Sequence, residues 1–214
     1  DRYIAIINKK KKNCTAKRRA QLELMEKSLV NISSKGAKNL YEALQLYILL
    51  WTVMCLEQAP NPYAFSVGNA DRIFEPYRGE LAREDASELF KHLLVFFNVG
   101  DRSWAISQNV LIGGRDMDGN DLTNTMSYAI MDAYYDMNLP QPILSVKLHK
   151  NTPKKFYEEM GRFFFSPGVL TPSLFNDDAL FEVLKKNGVD AADIPNYAVA
   201  GCQEPLIMGK DNGN

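Results

Sequence analysis

Short apolar segments alternate with helical patterns along most of this chain, and that alternation constrains the fold more than any other feature. The longer segments that we interpret as strands are residues 104–112, 143–148, 170–175 and 197–200, and 63–67 is a shorter extended run. The helical patterns cover residues 16–33, 40–58, 83–98, 120–138, a stretch opened by Thr152-Pro153, and 179–186. Strands separated by helices predict an α/β fold with at least four strands.

An uncharged run from Ala43 to Leu56 lies between Glu42 and Glu57. It is shorter than the ~20 residues that a membrane-spanning helix needs, so we expect no membrane span. The run is apolar on every side, which predicts a helix buried in the core of a large protein. The chain begins with Asp1 and ends in a loop-like segment, 209–214, and we therefore expect it to be part of a longer polypeptide.

Charge is distributed unevenly although the whole chain has a net charge of −1. Residues 1–38 include Lys9 to Lys12 and Lys17-Arg18-Arg19, a pattern that could serve a nucleic acid or an acidic partner. Tyr3 is the one aromatic residue among these charges, and the solvated face of a surface helix explains the pattern better. We therefore expect no nucleic-acid partner.

The cysteines and histidines do not form a recognisable metal or disulfide pattern. Three cysteines, Cys14, Cys55 and Cys202, are too few and too scattered for a disulfide framework. No Cys-x-x-Cys occurs, and His92 and His149 are far apart in sequence, so no metal site is predicted. A reducing cytoplasm is the expected compartment.

The segment Gly201-Cys202-Gln203-Glu204-Pro205 carries the best candidate chemistry. In an extended backbone, side chains two residues apart point to the same side, about 7 Å apart at a rise of ~3.3 Å per residue. Pro205 favours extended backbone at Glu204, and Gly201 allows a tight turn. Cys202 would then be a nucleophile or radical centre beside the general base Glu204. The alternative is an inert cysteine of the core.

These five residues resemble the Gly-Cys-x-Glu-Pro cysteine loop of glycyl radical enzymes in the pyruvate formate-lyase superfamily. Further blocks of the chain resemble the same family in the same order: 41–45, 65–71, 108–114, 118–124, 139–146 and 175–177. The resemblance implies an α/β fold that forms part of a ten-stranded barrel, made of two five-stranded half-sheets surrounded by helices. It also implies that residues 1–214 are the central portion of the catalytic domain.

The resemblance implies a radical mechanism. A glycyl radical, on a C-terminal segment resembling Arg-Val-x-Gly-Tyr, takes a hydrogen atom from the matching cysteine, Cys202. The thiyl radical then takes hydrogen from a small hydroxylated substrate, and Glu204 acts as the base. No Arg-Val-x-Gly-Tyr occurs in the 214 residues, so the chain alone is expected to be inactive. A radical S-adenosylmethionine activase would install the radical, and the complete enzyme would be a homodimer.

A C–O or C–N lyase of the dehydratase type is the function that we infer from this resemblance. One alternative is a glycyl radical decarboxylase of arylacetates, and another is an inactive fragment or paralogue that only binds a partner. Ser66 is a candidate for lining the substrate pocket. Lys147 stands where relatives usually have arginine, and a structural ion pair is preferred over a substrate contact.

The sequence departs from the family pattern at the site. Gly201 stands before Cys202 where pyruvate formate-lyase has a second cysteine, which argues against formate-lyase activity. Asn69 and Arg72 replace the arginine and glutamine of a Gly-Arg-x-Asp-Gln block, and Gln203 replaces a small aliphatic residue. These changes leave the identity of the substrate open.

Overall fold

The computed structural model describes residues 1–57, 66–100, 108–201 and 203–211. Its helices are α1 (Arg2–Lys11), α2 (Ala16–Lys35), α3 (Leu40–Glu57), α4 (Ala70–Arg78), α5 (Arg83–Gly100), α6 (Thr125–Met137), α7 (Lys154–Phe165) and α8 (Asp177–Lys186). Its strands are β1 (Ser66–Asn69), β2 (Asn109–Gly113), β3 (Ile143–Leu148), β4 (Ser173–Asn176), β5 (Tyr197–Ala200) and β6 (Glu204–Ile207).

Strands β1 to β4 form a parallel sheet in the order β1-β2-β3-β4. The register places Leu111 of β2 beside Ser145 of β3, and Ser145 beside Ser173 of β4. Helices connect the successive strands, as parallel pairing requires. The predicted α/β class is confirmed, and so is the minimum of four strands.

The two faces of this sheet differ in chemistry. Val110 and Ile112 of β2 and Val146 of β3 are fully buried on one face, in a core that includes residues of α5 and α6. The alternate residues, including Leu111 and Lys147, are also fully buried, on the other face. Burial on both faces explains why these strands are nearly continuous apolar runs.

The second face is covered by an antiparallel hairpin made of β5 and β6. Tyr197, Val199 and Ile207 pack with Leu111 and Phe181 in a separate apolar cluster. Strand β5 has the predicted bounds, whereas β6 was not predicted as a strand. The hairpin is therefore a layer that lies on the sheet rather than a further strand of it.

Several boundaries differ from the prediction for local reasons. Helix α6 begins at Thr125 rather than at 120 because the Asn124 side chain accepts a hydrogen bond from Ser127 N, within a capping box. Strand β2 begins at Asn109, and 104–107, the start of the predicted strand, lie outside the described residues, as do 63–65. Helix α8 begins at Asp177 rather than at 179, because the Asn176 side chain caps it by accepting from Asp178 N at 3.0 Å.

Helix α3 is buried on one side and exposed on another within the described part of this chain, and its burial in a larger protein stays a prediction. Leu44 and Trp51 are buried against the main core. Leu50, Val53 and Leu56, by contrast, are all more than half exposed. The reason is that α2, α4 and α5 pack against α3 and leave this stripe uncovered within the described part of the chain.

The N-terminal helices have the predicted solvated basic face. Lys9, Lys10 and Lys17 are exposed, while Lys11 pairs with Glu26 between α1 and α2. Among the described residues, no helix is both long and apolar enough to cross a membrane.

Candidate functional site

The β5–β6 hairpin is held to the sheet at both ends of β5. At the carboxyl end of β1, Asn69 Nδ2 donates to the carbonyl oxygen of Tyr197 at 3.2 Å. At the amino end of β2, Asn109 Nδ2 donates to the carbonyl oxygen of Gly201 at 2.7 Å. Strand β5 therefore runs antiparallel to β1 and β2, and its turn lies over the amino ends of the sheet strands.

The turn that joins β5 to β6 contains the candidate cysteine. Gln203 N donates to Ala200 O at 3.2 Å, which closes the turn, and Cys202 itself lies outside the described residues. Gln203 has a φ of 96°, so the segment is not the extended run assumed from the sequence. A non-glycine residue in such a conformation costs on the order of 1–3 kcal/mol. Glu204 is extended as predicted, because it is the first residue of β6.

Polar side chains on the hairpin-facing side of the sheet bind both flanks of the turn. Ser145 Oγ donates to Asn109 Oδ1 at 2.6 Å, and this contact orients the Asn109 amide toward Gly201. Gln203 Nε2 donates to Ser173 Oγ at 3.0 Å. The sequence analysis missed these residues. The available signal was the placement of Asn109, Ser145 and Ser173 inside otherwise apolar strands, where a buried polar group needs a partner.

Glu204 lies on the side of the hairpin that faces away from the four-stranded sheet. It pairs with Ala200 across the hairpin, whereas Tyr197 and Ile207 point toward the sheet. Its side chain is exposed, and within the described ranges its carboxylate has no hydrogen-bond or ion-pair partner. That the Cys202 and Glu204 side chains point to the same side stays a prediction.

Ser66 lies beside Asn109 in the register of β1 and β2, at the same end of the sheet as the turn. The residue is buried, and its Oγ accepts a hydrogen bond from Gly68 N at 3.0 Å. The hydroxyl keeps its own proton to donate. The structure thus places Ser66 near the turn, and its contact with a substrate stays a prediction.

Lys147 is fully buried beneath the start of the hairpin. Its Nζ donates to Asn69 Oδ1 at 3.1 Å, Pro195 O at 3.1 Å and Tyr197 O at 3.2 Å, and lies 3.9 Å from the centre of the Tyr197 ring. No carboxylate of the described residues lies within ion-pair distance, so the predicted ion pair is wrong. The role is nevertheless structural, because Lys147 binds the backbone that leads into β5.

Arg72 reaches two of the three acceptors of Lys147. It donates to Pro195 O at 3.1 Å and to Asn69 Oδ1 at 3.2 Å. The departures from the family pattern at Asn69, Arg72 and Lys147 are thus in direct contact. Burial raises the pKa of the neighbouring Asp71 carboxyl, although Ser127 and the backbone N–H of Gly113 both donate to it.

Burial lowers the pKa of Lys147 to about 7, an effect that Arg72 increases and that the carboxylates of Asp177 and Asp71 oppose. Between this value and the ordinary lysine pKa near 10.5, the unfolded chain binds more protons than the folded chain. The free energy of unfolding should therefore rise with pH in that window, by at most about 1.4 kcal/mol per pH unit from this group.

We expect this rise to be absent in Lys147→Met, which keeps the length of the side chain without the charge. Urea unfolding of both proteins at pH 7 and pH 9 measures it. The free energy of unfolding of the wild type minus that of the variant should be larger at pH 9 than at pH 7. A difference that stays constant or shrinks would contradict the assignment of a lowered pKa.

His149 lies in a polar contact between two loops. Its backbone N donates to Thr152 Oγ1 at 2.9 Å, and its Nε2 lies 3.0 Å from Asp121 Oδ1. Asn151 Nδ2 adds a bond to Gly119 O at 2.9 Å. These contacts fix the loop after β2 against the loop after β3.

Comparison with protein-family models gives the deciding observation. The model described as "Pyruvate formate lyase-like" matches residues 1–214. The chain belongs to the pyruvate formate lyase-like family. The resemblance inferred from the cysteine loop is thereby confirmed.

Individual relatives agree with this assignment. The isethionate sulfite-lyase of Oleidesulfovibrio alaskensis is 26% identical over 91% of this chain and 25% of its own length. The trans-4-hydroxy-L-proline dehydratase of Clostridioides difficile is 31% identical over 69% of this chain and 21% of its own length. The solved B12-independent glycerol dehydratase of Clostridium butyricum matches with a TM-score of 0.87 and 27% identity, over 96% of this chain and 28% of that one.

The chain spans about a quarter of the length of the relatives that it matches. Its parallel sheet and surrounding helices are part of the α/β barrel of this superfamily, which confirms the predicted fold class. The β5–β6 turn carries Gly201 to Pro205, the segment that resembles the family's cysteine loop, and its role stays a prediction.

Proposed function

We propose that residues 1–214 are the cysteine-loop portion of the catalytic domain of a glycyl radical lyase of the dehydratase type. The observation that carries this proposal is the position of the turn in a chain that matches the family throughout. Asn109 binds Gly201 and Ser173 binds Gln203 on either side of Cys202, and Glu204 follows with a carboxylate that pairs with no described residue. A hydrogen-atom donor and a proton acceptor are thus two residues apart on a supported loop.

The residues of this loop fit the radical that the family implies, because that radical needs one thiol and no further ligand. A glycyl radical supplies an acceptor for one hydrogen atom. Cys202 gives up the hydrogen atom of its thiol, and its sulfur then takes a hydrogen atom from a substrate carbon that bears a hydroxyl group.

Glu204 completes the elimination. A hydroxyl group on a carbon radical is much more acidic than an ordinary alcohol, so a carboxylate can remove its proton. The leaving group on the neighbouring carbon departs with the electron pair of its bond. The product radical then takes a hydrogen atom back from Cys202, which restores the thiyl radical for another turnover. Ser66, whose hydroxyl can donate, is our candidate for binding a polar group of the substrate.

The proposed partners follow from this chemistry. They are a small hydroxylated substrate, a radical S-adenosylmethionine activase and a second copy of the complete protein in a homodimer. We place the reaction in the cytoplasm, because a working thiol must stay reduced.

Anaerobic activation of the complete protein, followed by a panel of substrates, tests the proposal. Glycerol, 1,2-propanediol, isethionate and trans-4-hydroxy-L-proline cover the chemistry named for the relatives and solved neighbours. We expect elimination from at least one compound, and none from any compound with Cys202→Ser. Release of carbon dioxide from an arylacetate, without elimination from the panel, would favour the decarboxylase and overturn the proposal.

A further inference from the structure

Gln203 combines a left-handed backbone with a side chain that reaches the sheet. Its φ of 96° lies in a region that glycine enters freely and that other residues rarely adopt. Among the described residues, Asn138 is the other non-glycine with a positive φ, and it ends helix α6. Helix ends commonly use that conformation. The turn at Gln203 is not a helix end, and glycine would fit its backbone without strain. The presence of glutamine at this position therefore needs another explanation.

The Gln203 amide supplies that explanation through Ser173. Its Nε2 donates to Ser173 Oγ at 3.0 Å, and Ser173 is the first residue of β4. Strand β4 pairs with β3 in a register that places Ser173 beside Ser145. The acceptor is therefore part of the same sheet that holds Asn109.

The two flanks of Cys202 are bound in different ways. On one side, the backbone carbonyl of Gly201 is held by Asn109, which Ser145 orients. On the other side, the contact with the sheet comes from the side chain of Gln203. Removing the side chain of either Gln203 or Ser173 would break the hydrogen bond that links the second flank to the sheet.

We propose that Gln203 is a positioning residue, which fixes the cysteine loop against β4 through its hydrogen bond to Ser173. This inference rests on the proposed function, because it concerns the loop that carries Cys202 and Glu204. Rates of hydrogen and proton transfer depend steeply on placement, and a shift of 1 Å can cost about 100-fold. Loss of the contact therefore lowers kcat more than it changes KM.

Two substitutions remove the contact from opposite ends. Gln203→Gly removes the amide and leaves a residue that adopts the observed φ without strain, so the backbone can keep its shape. Ser173→Ala removes the acceptor and leaves the loop sequence unchanged. Ser173→Thr keeps the hydroxyl, and Ser33→Ala, on the exposed surface of α2, is the matched control.

Hydrogen–deuterium exchange of the complete protein, followed on a peptide covering residues 198–207, measures the position of the loop without needing a radical. We expect exchange about three- to tenfold faster in Gln203→Gly and in Ser173→Ala, the range that one lost hydrogen bond allows. The double variant should be no faster than either single variant. Ser173→Thr and Ser33→Ala should match the wild type, and a melting curve for each protein verifies folding.

Turnover of a substrate from the panel gives the second measurement. We expect kcat to fall about tenfold in both variants with KM changed less than threefold, and Ser173→Thr to restore it. Wild-type exchange and wild-type kcat in both Gln203→Gly and Ser173→Ala would overturn the inference. A wild-type protein that forms no radical would instead overturn the proposed function, and the exchange measurement would still decide whether Gln203 fixes the loop.

Discussion

Cys202→Ser is expected to abolish turnover while leaving radical formation intact. The hydroxyl of serine occupies nearly the same space as the thiol, so the loop should keep its shape. An O–H bond is too strong for a glycyl radical to break, and the hydrogen relay therefore stops before the substrate is touched. The measurement is product formation after anaerobic activation of the complete protein, with the radical quantified in the same samples.

Cys14→Ser is the matched control for this substitution. Cys14 lies at the connection between α1 and α2, where its Sγ donates to Lys11 O at 3.5 Å, away from the hairpin. The control should keep wild-type turnover. Activity of Cys202→Ser above one per cent of the wild type, an order-of-magnitude threshold for loss of an essential nucleophile, would remove Cys202 from the mechanism.

Glu204→Gln is expected to lower turnover by about 100- to 10,000-fold, the usual range for loss of a general base. The amide keeps the shape of the side chain and its capacity for hydrogen bonding, but it cannot take the proton of the substrate hydroxyl. Hydrogen abstraction by Cys202 should survive. Deuterium from labelled substrate should then appear in the enzyme or return to the substrate without elimination.

Glu158→Gln controls for the loss of an exposed carboxylate. Glu158 lies on α7, where it pairs with Lys154, and its removal should leave the kinetics unchanged. If Glu204→Gln kept near wild-type activity on the true substrate, Glu204 would not be the base. The chemistry would then have to be one that needs no carboxylate at this position.

Elements with strong local signals were predictable from the sequence. Strands β3 and β5 have the predicted bounds, because each is a short apolar run with a clear stop on at least one side. The cap at Asn176 was predictable for the same reason, since an asparagine before a helical pattern satisfies the first free N–H groups. The resemblance to the family rested on five consecutive residues together with further blocks in the same order, and the family is confirmed, whereas the roles of Cys202 and Glu204 stay predictions.

Features that depend on distant contacts were not predictable. Lys147 meets Pro195 and Tyr197, about fifty residues away in sequence, and a local pattern cannot show that its acceptors are carbonyl groups rather than carboxylates. The turn at Gln203 was assumed to be extended, because spacing alone does not report the sign of φ.

Electron paramagnetic resonance of the complete protein is the most direct test of the central claim, that this chain supplies the thiol and the base of a glycyl radical enzyme. The protein should be treated anaerobically with a radical S-adenosylmethionine activase, in the wild type and in Cys202→Ser. We predict a glycyl radical signal in both proteins and elimination only in the wild type. A protein that stays silent with several such activases would contradict the account.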